Sequence, residues 1–295
     1  GNVDKARQWD AQAHQEANRL QRLMLAGFGI VTAMILGGIA VWLAYAVWKS
    51  TSPPAQPAGS LLSPRQADTA LWGLVAYFGA TYVGGWVAGL FARAVPPSTS
   101  LLVVLVLLVQ IATGGVALLF LHQKMQKGGV HWRDLGLTRG HLPVHLLWGT
   151  GAYLAMVPVL LITVVLVQWL LPSMPSPAHP IAGVASAQNP AWVTALLFLV
   201  ATVFAPLFEE VFFRGVLLNA LWARTGRKWA GIIGSALVFS VLHPQLYLGW
   251  IAVFVIGVIL GILFVERRSL APCIWMHAIN NTLALVATQL LRLAG

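Results

Sequence analysis

The chain has 295 residues, 58% of them hydrophobic and 9% charged, with a mean hydropathy of +0.78. A water-soluble domain has about a quarter of its residues charged, so this composition excludes a soluble globular protein and requires lipid to solvate part of the surface. The net charge of +10 would suit a nucleic acid, but the Lys and Arg residues fall mostly between apolar segments, as positive-inside residues do, which makes membrane lipid the partner and excludes nucleic acid.

Residues 1–22 are polar, with Lys5, Arg7, Arg19 and Arg22, and too polar for a signal peptide. A solvated leader is the favoured reading; an amphipathic surface helix running into the first span is the alternative. Eight apolar segments follow: Met24–Trp48, Ala70–Val95, Ser100–His122, Leu142–Leu171, Ala191–Trp222, Trp229–His243, Leu246–Val265 and Ala271–Leu293. Most meet the requirement of about 20 residues for a spanning helix. Trp229–His243 is short and stops at Pro244, so it is expected to end inside the protein, where neighbouring helices shield its backbone from lipid. Ser52–Ser63 and Pro172–Pro190 are rich in Pro and small residues and read as loops. The fold class is therefore all-α, a polytopic transmembrane bundle of about eight spans.

Charge placement contains a conflict. The connections after the third, fifth and seventh segments carry Lys124, Lys127, Arg133, Arg139, Arg224, Arg227, Lys228, Arg267 and Arg268. These belong in the cytosol, which puts the basic N-terminus outside. Either an early segment does not span, or the rule fails at this terminus.

Ionisable groups are costly at mid-membrane and mark function by default. The fifth segment carries Glu209, Glu210 and Arg214 in the run LFEEVFFRG. Helical spacing puts Glu210 and Arg214 one turn apart, the good orientation for an ion pair, and turns Glu209 about 100° away. A buried pair that only locks packing would need one Glu and one Arg; the second Glu favours function. Pro206 removes a backbone hydrogen bond just before the pair. The sixth segment places Phe239 and His243 at i and i+4; the eighth places His277 and Asn281 likewise, where a helix–helix polar clamp is the plain alternative. Glu209 precedes Arg224 by as many residues as His243 follows Lys228, so antiparallel helices bring the two to one depth.

Peptide hydrolysis needs an activated water and donors for the developing oxyanion. A carboxylate with a His can hold and deprotonate a water; a second His and an Asn can donate to the oxyanion. Cys273, the chain's one cysteine, lies one turn before His277, but a small buried thiol is the commoner explanation than a Cys–His dyad. No H-E-x-x-H zinc helix, G-x-G-D aspartyl motif or G-x-S-G serine motif is present.

Three motifs stand complete and in order: Glu209-Glu210-Val-Phe-Phe-Arg214, Phe239-Ser-Val-Leu-His243 and His277-Ala-Ile-Asn-Asn281. With them the chain resembles the CAAX-protease and bacteriocin-processing family, the type II CAAX endopeptidase or Abi family. Trp132-Arg-Asp-Leu-Gly-Leu and Gly257-Val-Ile-Leu-Gly261 match its flanking text. The resemblance covers about Val130–Leu293, so residues 130–295 are the expected catalytic membrane core and residues 23–129 accessory transmembrane helices. It implies an intramembrane endopeptidase acting on a membrane-associated protein or peptide, in a multi-pass protein of a prokaryotic-type cell membrane. Glu209 and His243 would activate the water, His277 and Asn281 would form the oxyanion site, and Glu210, Arg214 and Phe239 would support them. Members are often called metalloproteases, and Glu209, His243 and His277 are the alternative Zn²⁺ ligands. A metal-free glutamate mechanism with no cofactor is favoured, because these groups lack compact zinc-helix spacing. A non-catalytic membrane scaffold and a proton-coupled transporter are the rival readings.

Overall fold

The computed structural model describes residues 2–51, 59–94, 100–138, 140–173, 189–243 and 248–294. Eight helices follow one another: α1 (Asn2–Thr51), α2 (Pro64–Ala94), α3 (Ser100–Gly128), α4 (Leu142–Leu170), α5 (Ala191–Thr225), α6 (Lys228–Val241), α7 (Leu248–Arg267) and α8 (Ala271–Ala294). A 3₁₀ turn, Trp132–Leu135, lies between α3 and α4, and the described residues contain no strand. The protein is a multi-pass integral membrane protein. Among the described residues six helices are long and apolar enough to cross a bilayer: α4, α5, most of α2, all of α3, and the parts Leu25–Thr51 of α1 and Gly249–Arg267 of α7. This is fewer than the eight apolar segments of the sequence. The helix α6 has only 14 residues, and the apolar face of α8 is interrupted by His277, Asn280, Asn281 and Thr282.

The N-terminal leader is helical from Asn2 and runs unbroken into the first span. Its Ala, Gln, Glu, Arg and Leu residues are good helix formers, and neither Gly nor Pro interrupts it before Gly27. The two loops of the sequence analysis fall largely outside the described residues, as do Arg139 and the start Leu246 of the seventh segment.

The basic ends of α1, α5 and α7 lie at one end of the bundle. Lys49, at the foot of α1, pairs with Glu266 at the end of α7. Arg224, ending α5, pairs with Asp68 at the start of α2. Ser60 and Leu61, leading into α2, hydrogen bond to Asn219 of α5. Helices therefore alternate up and down through the whole chain, the first three included. The early segments are long and apolar enough to span, and the N-terminal charges and Arg93 depart from the positive-inside pattern.

The second half of α5 is the centre of this bundle. Phe212, Phe213, Arg214, Val216 and Leu218 are all buried, as expected of a helix covered on every side. Two stretches of α5, Val200–Phe204 and Val211–Leu218, are π-helical, a form that occurs mostly as local bulges and often at functional sites. The Trp132–Leu135 turn braces the second: Leu135 is buried against Gly215. Gly136 closes that turn at φ +91°, where a side chain would be strained and would also strike Phe264.

Candidate active site

Three helices present the polar side chains. The helix α5 carries Glu209, Glu210 and Arg214, α6 carries Phe239 and His243, and α8 carries His277 and Asn281. Glu210 and Arg214 have no exposed side-chain surface and pair at 2.9 Å, Nη1 donating to Oε1. Nη2 of Arg214 donates to the Gly257 carbonyl at 3.3 Å, and the guanidinium sits 4.5 Å from the centre of the Phe239 ring. Gly257 allows this approach, because a Cβ there would lie 3.0 Å from Ala236 Cβ. Arg214 is thus surrounded by a carboxylate, a carbonyl and an aromatic face, each suited to a buried cation.

Glu210 has a second partner that spacing along one helix could not disclose. Nδ1 of His277 lies 2.9 Å from the same Oε1 that accepts from Arg214. The ring of His243 is anchored in the same fashion: Nδ1 donates to the Phe239 carbonyl at 2.7 Å. A carbonyl only accepts, so the proton of a neutral His243 ring is on Nδ1 and Nε2 presents its lone pair. Both Nε2 atoms then face one oxygen. Glu209 Oε2 lies 3.7 Å from His277 Nε2 and 3.8 Å from His243 Nε2. It is buried and takes no hydrogen bond from the described residues. Glu209 and His243 keep 16% and 23% of their side-chain exposure, so a substrate can reach this pair but not Glu210 or Arg214.

Asn281 is held one turn beyond His277, and the reason begins at Pro206. In the first π-helical stretch Ala205 N–H bonds to Val200 O. The next residue, Pro206, has no N–H to offer, so Ala201 O is left for another donor. Asn281 Nδ2 supplies it at 2.8 Å, and Asn280 Nδ2 donates to Asn281 Oδ1. One Nδ2 hydrogen of Asn281 stays available. No hydrogen bond joins Asn281 to Glu209, His243 or His277.

Two residues of this neighbourhood were missed by sequence reasoning. Asn219 is fully buried; its Nδ2 donates to Gly215 O and Arg214 O, and its Oδ1 accepts from Leu61 N and Ser60 Oγ. It ties the π-helical turn that carries Arg214 to the chain leading into α2. A lone Asn five positions after Arg214 was the available signal. Tyr77 of α2 stacks on Phe212 at 4.3 Å and meets Phe213 edge-on. A Tyr in an apolar span gives no such signal, since it reads equally as core or interface.

Glu209, His243 and His277 are also the trio a Zn²⁺ ion would need. Among the described residues no group of three His, Cys, Asp or Glu side chains is gathered closely enough to hold a metal ion.

The family model for Rce1-like type II CAAX prenyl endopeptidases matches residues 190–283, which span α5 to the middle of α8 and contain all three motifs. Over these residues the chain is similar to that family. The chain is also similar to a protein of Bacillus subtilis (strain 168) named "Putative membrane peptidase YdiL", at 25% identity over 91 residues. That match covers 31% of this chain and 36% of the relative, so it reaches only about a third of the relative's length. No solved structure matches the chain.

Proposed function

We propose that this chain is an intramembrane endopeptidase that hydrolyses a peptide bond of a membrane-associated protein or peptide with a water activated by Glu209 and His243. The observation that carries the reading is the convergence of two anchored imidazoles on the buried, unpartnered Oε2 of Glu209. A water bound there donates one hydrogen to Glu209 and the other to His243 Nε2. Its oxygen attacks the scissile carbonyl carbon as Glu209 takes the first proton, and the carbonyl π pair moves onto oxygen. His277 lies between the carboxylates of Glu209 and Glu210. As an imidazolium it completes a neutral set, two carboxylates against one guanidinium and one imidazolium. It donates through Nδ1 to Glu210 and through Nε2 to the new oxyanion. The free Nδ2 hydrogen of Asn281 is the second donor. Reforming the carbonyl breaks the C–N bond, and Glu209 returns its proton to the leaving amine.

Supporting this role, the exposed and the buried carboxylates are divided in function: Glu209 meets substrate, while Glu210 orients His277 and neutralises Arg214. The test is turnover of a fluorogenic peptide by the purified chain. Glu209→Gln keeps the shape and removes the base, and the expected loss is at least about 10²-fold, the lower bound for general-base catalysis. Activity within a few-fold of the parent would sink the assignment and return the site to a scaffold or proton-relay reading.

A further inference from the structure

The apolar run Gly249–Arg267 of α7 has the length of one bilayer crossing and serves as a ruler for the depth of the site. Nη2 of Arg214 meets the carbonyl of Gly257, which stands about 12 Å from Gly249 along the helix. Glu209 and Glu210 lie about one turn further toward the Gly249 end, because α5 and α7 both run toward the basic end of the bundle. Trp250, in the first turn of the run, donates from Nε1 to the His243 carbonyl at 3.1 Å. His243 therefore stands close to the interface depth that Trp favours.

Accessibility changes in the same direction. Arg214 and Glu210 are sealed, and toward the basic end Phe239, Ile232, Leu260 and Phe264 close the core. Glu209 and His243, nearer the Gly249 end, keep part of their surface. A carboxylate open to hydrocarbon would be costly, so the opening meets water, and the nearer water is at the Gly249 end. Charge decides which compartment that is. The connections at the basic end, from α5 to α6 and from α7 to α8, carry Arg224, Arg227, Lys228, Arg267 and Arg268. Those at the other end, Pro172–Pro190 and residues 242–247, carry no Lys or Arg. Basic connections stay in the cytosol, which puts Glu209 and His243 in the outer half of the membrane.

We propose that the site opens on the extracytoplasmic face and that its substrate is the extracytoplasmic stretch of a membrane-bound polypeptide, cut within a few residues of the bilayer; the substrate half of this rests on the peptidase reading above. An extended chain advances about 3.3 Å per residue, so a few residues reach Glu209 from the outer surface. A cytosolic tail would meet the sealed basic end instead. The opening is tested without turnover. The chain's one cysteine is removed as Cys273→Ser, and one is added at the site as His243→Cys, with Lys228→Cys marking the basic end. A membrane-impermeant sulfonated thiol reagent should modify His243→Cys in sealed spheroplasts and leave it untouched in sealed inverted vesicles, with the reverse for Lys228→Cys. Leu242→Cys, next to it and half-exposed, replaces His243→Cys if that variant does not fold. Modification of the site cysteine in inverted vesicles, or in neither preparation, overturns the opening. The substrate side is read with the parent chain and a charged, impermeant fluorogenic peptide. Spheroplasts should cleave it directly, and inverted vesicles only after detergent is added. Turnover by sealed inverted vesicles, or by neither sealed preparation, overturns the substrate class. No turnover even in detergent refutes the peptidase reading itself, and the labelling result still decides the opening.

Discussion

Replacing Arg214 with Leu isolates the energetics of the buried charge cluster. The side chain has no exposed surface, and removal deletes one charge-assisted hydrogen bond to Glu210, one hydrogen bond to Gly257 and the cation–π contact with Phe239. The larger effect falls on what remains: a fully buried carboxylate stripped of its cation. Removing one partner of a buried pair costs about 3–5 kcal/mol. His277 still contacts Glu210 Oε1, which puts the expected loss near the lower end, about 3 kcal/mol by the same rule. That is roughly a 150-fold shift of the folding equilibrium at 1.4 kcal/mol per tenfold. The assay is chemical or thermal unfolding of the purified variant in detergent, in a double-mutant cycle with Glu210→Leu. Replacing both partners by apolar groups removes the uncompensated charge, so the double variant should be more stable than the sum of the single losses predicts. Near-parental stability for Arg214→Leu, or strict additivity in the cycle, would refute the argument that these charges stabilise one another.

Three further outcomes follow from the same geometry. Activity should survive dialysis against a strong chelator, and purified protein should contain far less than one zinc per chain by elemental analysis; stoichiometric zinc, with activity lost on chelation and regained with Zn²⁺, would replace the water mechanism with a metal one while leaving the peptidase reading intact. Asn281→Ala should lower kcat by about 10²–10³-fold with little change in KM, as loss of an oxyanion donor does, and a change confined to KM would count against that role. Gly257→Val should cost about 1–3 kcal/mol by overpacking, measured as a fall in unfolding midpoint, because its Cβ meets Ala236 and crowds the approach of Arg214; an unchanged midpoint would mean that α6 and α7 can separate without harm.

Much of the architecture is legible because membrane spans are written as long apolar runs, and the membrane leaves helices as the form for such runs here. The segments Leu142–Leu171 and Ala191–Trp222 lie within a residue or three of α4 and α5 for that reason. The leader was less legible: its polarity spoke of water, but polarity is no obstacle to helix, and its residue types favour one. Within the site, contacts along one helix could be read from spacing, as Glu210–Arg214 was. Contacts between helices could not. That His277 Nδ1 would meet Glu210, leaving only Nε2 for Glu209, depends on the rotation of α8 against α5, which no periodicity encodes. The π-helical stretches are hidden for a similar reason. They are registered in backbone hydrogen bonds, and Pro206 signals only that one such bond is missing.

The anchoring of both imidazoles also explains why the motifs extend beyond the groups that can touch substrate. Phe239 supplies its carbonyl to His243 Nδ1 and its ring face to Arg214, so one residue orients His243 and offsets part of a buried cation. Arg214 and His277 both meet the same oxygen of Glu210. Substituting Phe239 by Leu would keep the carbonyl and remove the ring. The expected result is therefore a loss of stability through Arg214 with His243 still oriented, a split between folding and turnover that a purely packing role for Phe239 would not produce.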